Sequence, residues 1–402
     1  MSDEQAFAFK LSRGLSSTAS PPIPLAYQWG MQYDGTHGPK LDMSQGVPGD
    51  PPQPRLQSAL ATASSSVSSF GYGTAGGNAA LRNAMAAQMR GIYGAGEQGL
   101  TADHLSMVAG CNMAFVAVIM ALADAGDQVI LPTPWYFNHQ MTLSMLNITP
   151  VPLKTRPERG FAPSVEDCEK LITGKTRAIV LVTPNNPTGA IYPPALISSF
   201  YALAQKHDLA LVLDETYRDF LLPTTPPHNL FAQPDWGRNL IHIYSFSKSY
   251  CIPGHRLGLV AASPAFHMTG LHTILDSLQI CAPVPPQLAL GPILADLRPG
   301  VLAMAESLAR RRQVFVDNLP EGWTVGSIGG YFAFVRHPFE GMGSVEVCRR
   351  LATEIGVVLL PGAFFQDLDA EEDRWIRFSV ANCGEEGIIA VCERLALARQ
   401  LL

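Results

Sequence analysis

Ala178-Ile179-Val180-Leu181-Val182-Thr183-Pro184-Asn185-Asn186-Pro187-Thr188-Gly189 runs five apolar residues, without a polar interruption, into a turn rich in Pro, Asn and Gly. A strand with one wet face alternates apolar and polar residues. A strand apolar on both faces belongs to a sheet covered by helices on both sides. Working outward, the same signature recurs at residues 128–131, 209–213, 240–244 and 257–261. Helical patterns lie between these runs, for example over residues 192–207. Strand and helix in alternation predict an α/β fold with a mostly parallel sheet.

After about Pro292 the pattern changes. A long helix is expected over residues 301–318, short strands at 330–335 and 375–379, and helices at 344–355 and 386–401. That is a smaller α+β unit. The first 40 residues are rich in Ser, Pro and Gly and read as an irregular arm. The expected division is therefore an arm over 1–40, a large α/β domain over 41–295 to which most of the chemistry belongs, and a small domain over 296–402. The N-terminal segment is a candidate contributor to the small domain. A chain of 402 residues is too long for one compact core, which agrees with two packed domains.

Composition excludes several function classes. At 47% hydrophobic and 15% charged residues the chain is globular rather than disordered. A net charge of -6 gives no general attraction to nucleic acid or to anionic membranes. The run Arg310-Arg311-Arg312 reads as a solvated helix face. Seven cysteines without a C-x-x-C pair form no disulfide or metal framework, and the dispersed histidines lack metal spacing. Reduced thiols, an acidic start without an apolar signal core, and an apolar stretch near Met113 too short to span a bilayer lead to the expectation of a cytoplasmic protein.

In a doubly wound sheet, ligands bind outside the carboxyl ends of the strands. Asn186 follows one predicted strand, Asp214-Glu215-Thr216-Tyr217 the next, and Ser245-Phe246-Ser247-Lys248 the one after. An amide, a carboxylate, a phenol, hydroxyls and an amine would converge on one crevice. That set suits pyridoxal 5'-phosphate (PLP), which needs a lysine for its Schiff base, an acid at the pyridinium nitrogen, donors at the ring oxygen and a phosphate cradle. Asp214 would keep the ring nitrogen protonated, and Asn186 and Tyr217 would donate to the ring oxygen. Lys248 would hold the cofactor and, released and desolvated, move the substrate's proton. Ala109-Gly110-Cys111-Asn112 opens an apolar helix whose first N–H groups face an anion. Ser245, Ser247 and Arg256 complete the expected phosphate contacts. Two G-x-G-x-x-G matches, at 71–76 and 94–99, follow no apolar strand, so a nicotinamide-dependent dehydrogenase is only an outside reading.

The ordered set Asn185-Asn186-Pro187-Thr188-Gly189, Asp214-Glu215-Thr216-Tyr217, Ser245-Phe246-Ser247-Lys248 and Gly254-His255-Arg256-Leu257-Gly258 resembles the class I/II aminotransferases. These are PLP enzymes of fold type I, similar to aspartate aminotransferase. The resemblance implies further roles. Tyr72 would reach the phosphate of a neighbouring subunit, making the active form a homodimer. Trp135 or Tyr136 would stack on the cofactor ring. Gly46 would lie over the substrate, and Arg377 would hold its α-carboxylate. Ala109 stands where many members have Ser or Thr. No arginine after Ala265 matches the second, side-chain-binding arginine of members that take dicarboxylates. The implied activity is amino transfer between a neutral or aromatic amino acid and a 2-oxo acid. The alternatives are a carbon–sulfur β-lyase or a cyclopropane-forming enzyme of the same fold, and a non-catalytic ligand-binding relative. The fold motifs begin near Leu41, which leaves no room for the DNA-binding domain of aminotransferase-like regulators.

Overall fold

The computed structural model describes residues 9–97, 99–221, 226–366 and 373–401. After a two-residue strand, β1 (Leu41–Asp42), the chain lays down a seven-stranded sheet. Its members are β2 (Leu105–Val108), β3 (Gln128–Thr133), β4 (Thr149–Lys154), β5 (Thr176–Val182), β6 (Ala210–Asp214), β7 (Leu240–Ser245) and β8 (Gly258–Ala261). The spatial order is β2-β8-β7-β6-β5-β3-β4. Strands β4, β3, β5, β6 and β7 are parallel neighbours, and β8 alone runs against the rest. The expected α/β class with a mostly parallel sheet is what the chain adopts.

The double-sided burial read from the sequence has a direct counterpart. Along β5, Ile179 and Leu181 enter one core cluster while Ala178 and Val180 enter the other. Along β7, Leu240 and Tyr244 divide from Ile241 and Ile243 in the same way. A period of two thus feeds two cores, one on each face. Each fully buried aliphatic side chain contributes about 1.5–3 kcal/mol, so a polar residue in any of these runs would cost one face its packing. The helix Cys111–Leu122 covers one face with Ala114, Phe115, Val118 and Ile119.

Two strands of this sheet escaped the sequence reading, and both are edges. β2 is only four residues long, and β4 carries Pro150 and Pro152. Proline cannot donate to a ladder, and an edge strand tolerates that loss.

A second, four-stranded antiparallel sheet has the order β12-β13-β10-β9. Its strands are β9 (Thr324–Gly329), β10 (Phe332–Arg336), β12 (Leu360–Pro361) and β13 (Trp375–Ser379). Between them in sequence, β11 (Val357–Val358) pairs in parallel with β1. Arg377 lies on β13, between Phe334 of β10 and Leu360 of β12.

The helix leading into this region runs over Leu294–Asn318, beginning seven residues before the expected 301. Pro299 inside it gives the sequence the look of a break. Gln53 Nε2 donates to the Leu297 carbonyl beside that proline at 3.1 Å. The stretch read as an irregular arm contains the helices Arg13–Ser16 and Ile23–Gly30. Ala26, Trp29 and Met43 are buried with Ile376 and Phe378 of the second sheet. No single helix among the described residues is long and apolar enough to cross a membrane.

Candidate active site

A cavity of about 330 Å³ opens where β3, β5, β6 and β7 end. Among its lining residues are Gly46, Cys111, Asn112, Tyr136, Asn186, Asp214, Tyr217, Ser245, Ser247, Lys248, Arg256 and Arg377. Residues far apart in sequence therefore meet because parallel strands deliver their carboxyl ends to one side.

Lys248 sits in the short helix Phe246–Ser249 that follows β7, where the Ser245 hydroxyl caps the first turn by accepting from Ser247 N–H at 3.2 Å. Its Nζ donates to the Gly46 carbonyl. Burial, together with the Arg377 and Arg256 cations, pulls the amine down to a pKa of about 8. Asp214 is 4% exposed. Its Oδ1 accepts from Thr216 N–H at 3.0 Å and Thr216 Oγ1–H at 2.7 Å. Its Oδ2 lies 3.3 Å from His139 Nε2. Tyr217 meets Phe332 edge-on, and burial raises its phenol well above the ordinary tyrosine value.

Arg377 is buried, with Nη1 donating to Asn186 Oδ1 at 2.8 Å and Nη2 to the Ser44 carbonyl. Among the described residues its Nε has no hydrogen-bond partner. The guanidinium lies over the Phe332 and Phe365 rings, at 4.7 and 4.9 Å. Burial lowers its pKa to about 10, so it remains a cation at neutral pH. Three cations, Lys248, Arg256 and Arg377, thus face the cavity against one carboxylate, Asp214. Among the described residues, Lys248 and Arg377 bond only neutral acceptors. Such a site is short of negative charge, and a dianionic phosphate plus a substrate carboxylate would supply it.

Two glycines shape the walls. Gly110 has φ +84°, and a side chain there would overlap the Arg256 guanidinium. The helix Cys111–Leu122 starts at that point, so its free first-turn N–H groups and Arg256 point toward one spot. Gly189 has φ +73°, and a Cβ would overlap the Phe332 carbonyl. The loop after β5 can therefore lie directly on β10, and this brings Asn186 to Arg377.

The remaining sequence-predicted residues divide between the cavity wall and its surroundings. Tyr136 lines the cavity, and its hydroxyl accepts from Asn138 Nδ2 at 2.8 Å. Trp135 does not line it: its backbone N–H donates to Phe365 O at 2.6 Å and its ring packs on the sheet core. Of the two aromatics left open in the sequence, Tyr136 is therefore the one that lines the cavity. Gly110 contributes conformation rather than lining. Tyr72 is 84% exposed and outside the cavity of its own chain.

Sequence reasoning missed His139, which also stacks on Phe115 at 3.8 Å between ring centroids. It stands three residues after Tyr136 on the helix Phe137–Met145, a spacing that shares a face with the aromatic and was the available signal. Ile23, Gln45, Val47, Phe137 and Asn138, which also line the cavity, were not singled out either.

Known proteins resemble this chain over nearly its whole length. The family described as Aminotransferase class I and II matches residues 38–395. An arginine–pyruvate transaminase of Pseudomonas aeruginosa is 30% identical, over 88% of this chain and 88% of its own length. An aspartate aminotransferase of Sulfolobus acidocaldarius is 28% identical over 73% of this chain and 75% of its own. Among solved structures, an Escherichia coli protein with a methionine aminotransferase function superposes with a TM-score of 0.88 at 24% identity, covering 97% of this chain and 100% of that one. At that identity the last likeness speaks for the fold alone. With the family matched across nine-tenths of its residues, this chain belongs to the class I and II aminotransferases and is an aminotransferase enzyme.

Proposed function

We propose that the enzyme uses PLP to exchange the amino group of a neutral or aromatic amino acid with a 2-oxo acid. One observation carries this reading: an amine with a depressed pKa and a buried arginine face one cavity, opposite a buried carboxylate, and among the described residues neither cation has an anion to pair with.

Bound PLP supplies the electron sink that makes a substrate Cα proton removable. The chain's own residues do the rest. Lys248 would hold the cofactor and, as a neutral amine, take the Cα proton and return it one position away. Its pKa near 8 leaves a useful neutral fraction at physiological pH, which an ordinary lysine lacks. Asp214 would face the ring nitrogen, with Thr216 and His139 fixing its two oxygens. Asn186 and Tyr217 would donate to the ring oxygen. The first N–H groups after Gly110, at Cys111 and Asn112, with Ser245, Ser247 and Arg256, would hold the phosphate. Tyr136 would stack on the ring. Arg377 would take the substrate α-carboxylate, held in place by Asn186 and the Ser44 carbonyl. Gly46, whose carbonyl accepts from Lys248, would lie over the substrate.

The rest of the lining supports the substrate class. Ile23, Gln45, Val47, Phe137 and Asn138 carry no charge. A side-chain carboxylate or guanidinium would lose water there without gaining a partner. The relatives named above act on arginine, aspartate and methionine, so their names do not choose among substrates, and it is the neutral wall that supports this reading.

In this reading residues 41–295 bind the cofactor, while 296–402 and the N-terminal segment form the smaller domain. The active form is a cytoplasmic homodimer in which Tyr72 of each copy reaches the other's phosphate site.

Amino acid alone should convert bound PLP to its amine form, and a 2-oxo acid should restore it. Ammonia and pyruvate as products would mark a lyase instead. A kcat/KM series over aspartate, glutamate, alanine, methionine, phenylalanine and tryptophan tests the substrate class. Preference for aspartate or glutamate would contradict it.

A further inference from the structure

Behind the cavity lies a buried ion network that the proposed chemistry does not use. Tyr217 is followed directly by the 3-10 turn Arg218–Phe220. Asp219 in that turn is 3% exposed. Its Oδ2 accepts from Tyr244 Oη–H on β7 at 2.7 Å and from Ser249 Oγ–H, the residue after Lys248, at 2.8 Å. Its Oδ1 pairs with Arg298 on the long helix Leu294–Asn318. The Arg218 guanidinium lies over the Tyr244 ring at 4.1 Å and donates to Tyr93 Oη at 3.0 Å. Tyr331 closes the group from the second sheet: its hydroxyl donates to the Lys248 carbonyl at 3.2 Å while its ring packs on Phe220 at 4.8 Å.

We propose that Asp219 is a positioning residue whose buried carboxylate ties the Lys248 turn, the Tyr217 turn and the long helix together, and so fixes where the Lys248 amine stands. The proposal rests on the assignment of Lys248 as the cofactor-bearing lysine. Three separate stretches of chain converge on two oxygens, and two of the stretches carry residues that face the cavity. A neutral spacer would fill the volume, but only an anion can accept two hydroxyl protons and also pair with Arg298. Burial alone would push the Asp219 carboxyl up, and the Arg218 and Arg298 cations outweigh it, holding the carboxyl below its ordinary value. A turn held this way keeps the amine in one place, and small displacements of a reacting group slow a step without weakening binding.

The test compares Asp219→Asn, Ser249→Ala and Arg298→Met with the unsubstituted holoenzyme. Ser249→Ala leaves every charge in place and guards against misfolding of the Asp219 variant. Three readouts are taken: the single-turnover rate with a saturating amino acid, the amino-acid concentration at half-saturation, and amide hydrogen exchange over residues 246–251 with and without PLP. The expected result for Asp219→Asn and Ser249→Ala is a rate lower by about tenfold, half-saturation changed less than about twofold, and faster exchange in that segment in both forms. Arg298→Met should raise exchange at 217–220 and slow the same step by a smaller factor. Unchanged rate and exchange in Ser249→Ala and Asp219→Asn would overturn the proposal, as would a loss confined to half-saturation. Borohydride labelling of the unsubstituted protein separates the underlying assignment. A label on a lysine other than Lys248, with exchange at 246–251 still responsive, would refute the cofactor assignment while supporting the tie.

Discussion

The cavity floor and the loop carrying Tyr72 were both assigned to the same cofactor, yet they are built in opposite ways. At the ends of β3, β5, β6 and β7, Tyr136, Asn186, Asp214 and Lys248 meet inside one chain. Asp214 and Asn186 are almost fully buried. Tyr72 is 84% exposed, and nearby Val67 and Phe70 are exposed at 84% and 77%. A soluble surface seldom spends three large apolar side chains on one short loop unless something covers them. The floor is complete because topology assembles it. The loop leaves Val67, Phe70 and Tyr72 exposed, side chains that a two-fold assembly would cover.

Substitutions can break this contrast at either end. Lys248→Ala should have the largest effect, lowering turnover by about 10³-fold or more in steady-state assays, since it removes both the attachment point and the proton carrier. Arg377→Ala should follow, with kcat/KM falling for every amino acid together by the equivalent of about 2–5 kcal/mol. A loss for some substrates only would move the carboxylate site elsewhere.

On the loop, Tyr72→Phe should weaken retention of pyridoxamine phosphate by about tenfold, the worth of one hydrogen bond to a charged group, when binding is followed by fluorescence. Phe70→Asp should shift sedimenting dimer toward monomer and make activity fall on dilution. Full activity in a chain that sediments as a monomer would contradict the shared site.

The smallest effect is a pH dependence. A lysine with its pKa lowered to about 8 is ammonium below that pH and neutral above it. In cofactor-free protein, the rate of PLP attachment should therefore rise with pH and level off above about 8, well short of the usual lysine value of about 10.4. The same shift gives a sign for stability. Between the folded and unfolded pKa values the unfolded chain binds more protons, so the Lys248 contribution makes cofactor-free protein more stable as pH rises from about 8 toward that of a free lysine.

What the sequence disclosed follows the same contrast. The central strands were legible because burial on both faces leaves an unbroken apolar run, and the residues that follow each run were legible as a site because parallel strands end together. The edge strands β2 and β4 were not, since a short strand and a strand with two prolines look like loop. His139 was hidden because its partner Asp214 lies far away in sequence at the end of β6, and only the fold brings them within 3.3 Å. Ile23 lines the cavity from a helix inside a stretch whose Ser and Pro content masks any period. Pro299 hid the first turns of the long helix for the reason that proline usually ends one. Trp135 and Tyr136 could not be told apart by type, because the distinction is which of two neighbours turns toward the cavity.

The central claim is that one lysine at the end of β7 carries the cofactor. Protein saturated with PLP, reduced with borohydride, digested and analysed by mass spectrometry tests it most directly. One pyridoxyl-modified residue per chain is expected, at Lys248, with the visible absorbance lost on reduction. A modification at Lys10, Lys40 or any other lysine, or a Lys248→Ala protein that is still labelled and still turns over, would contradict it.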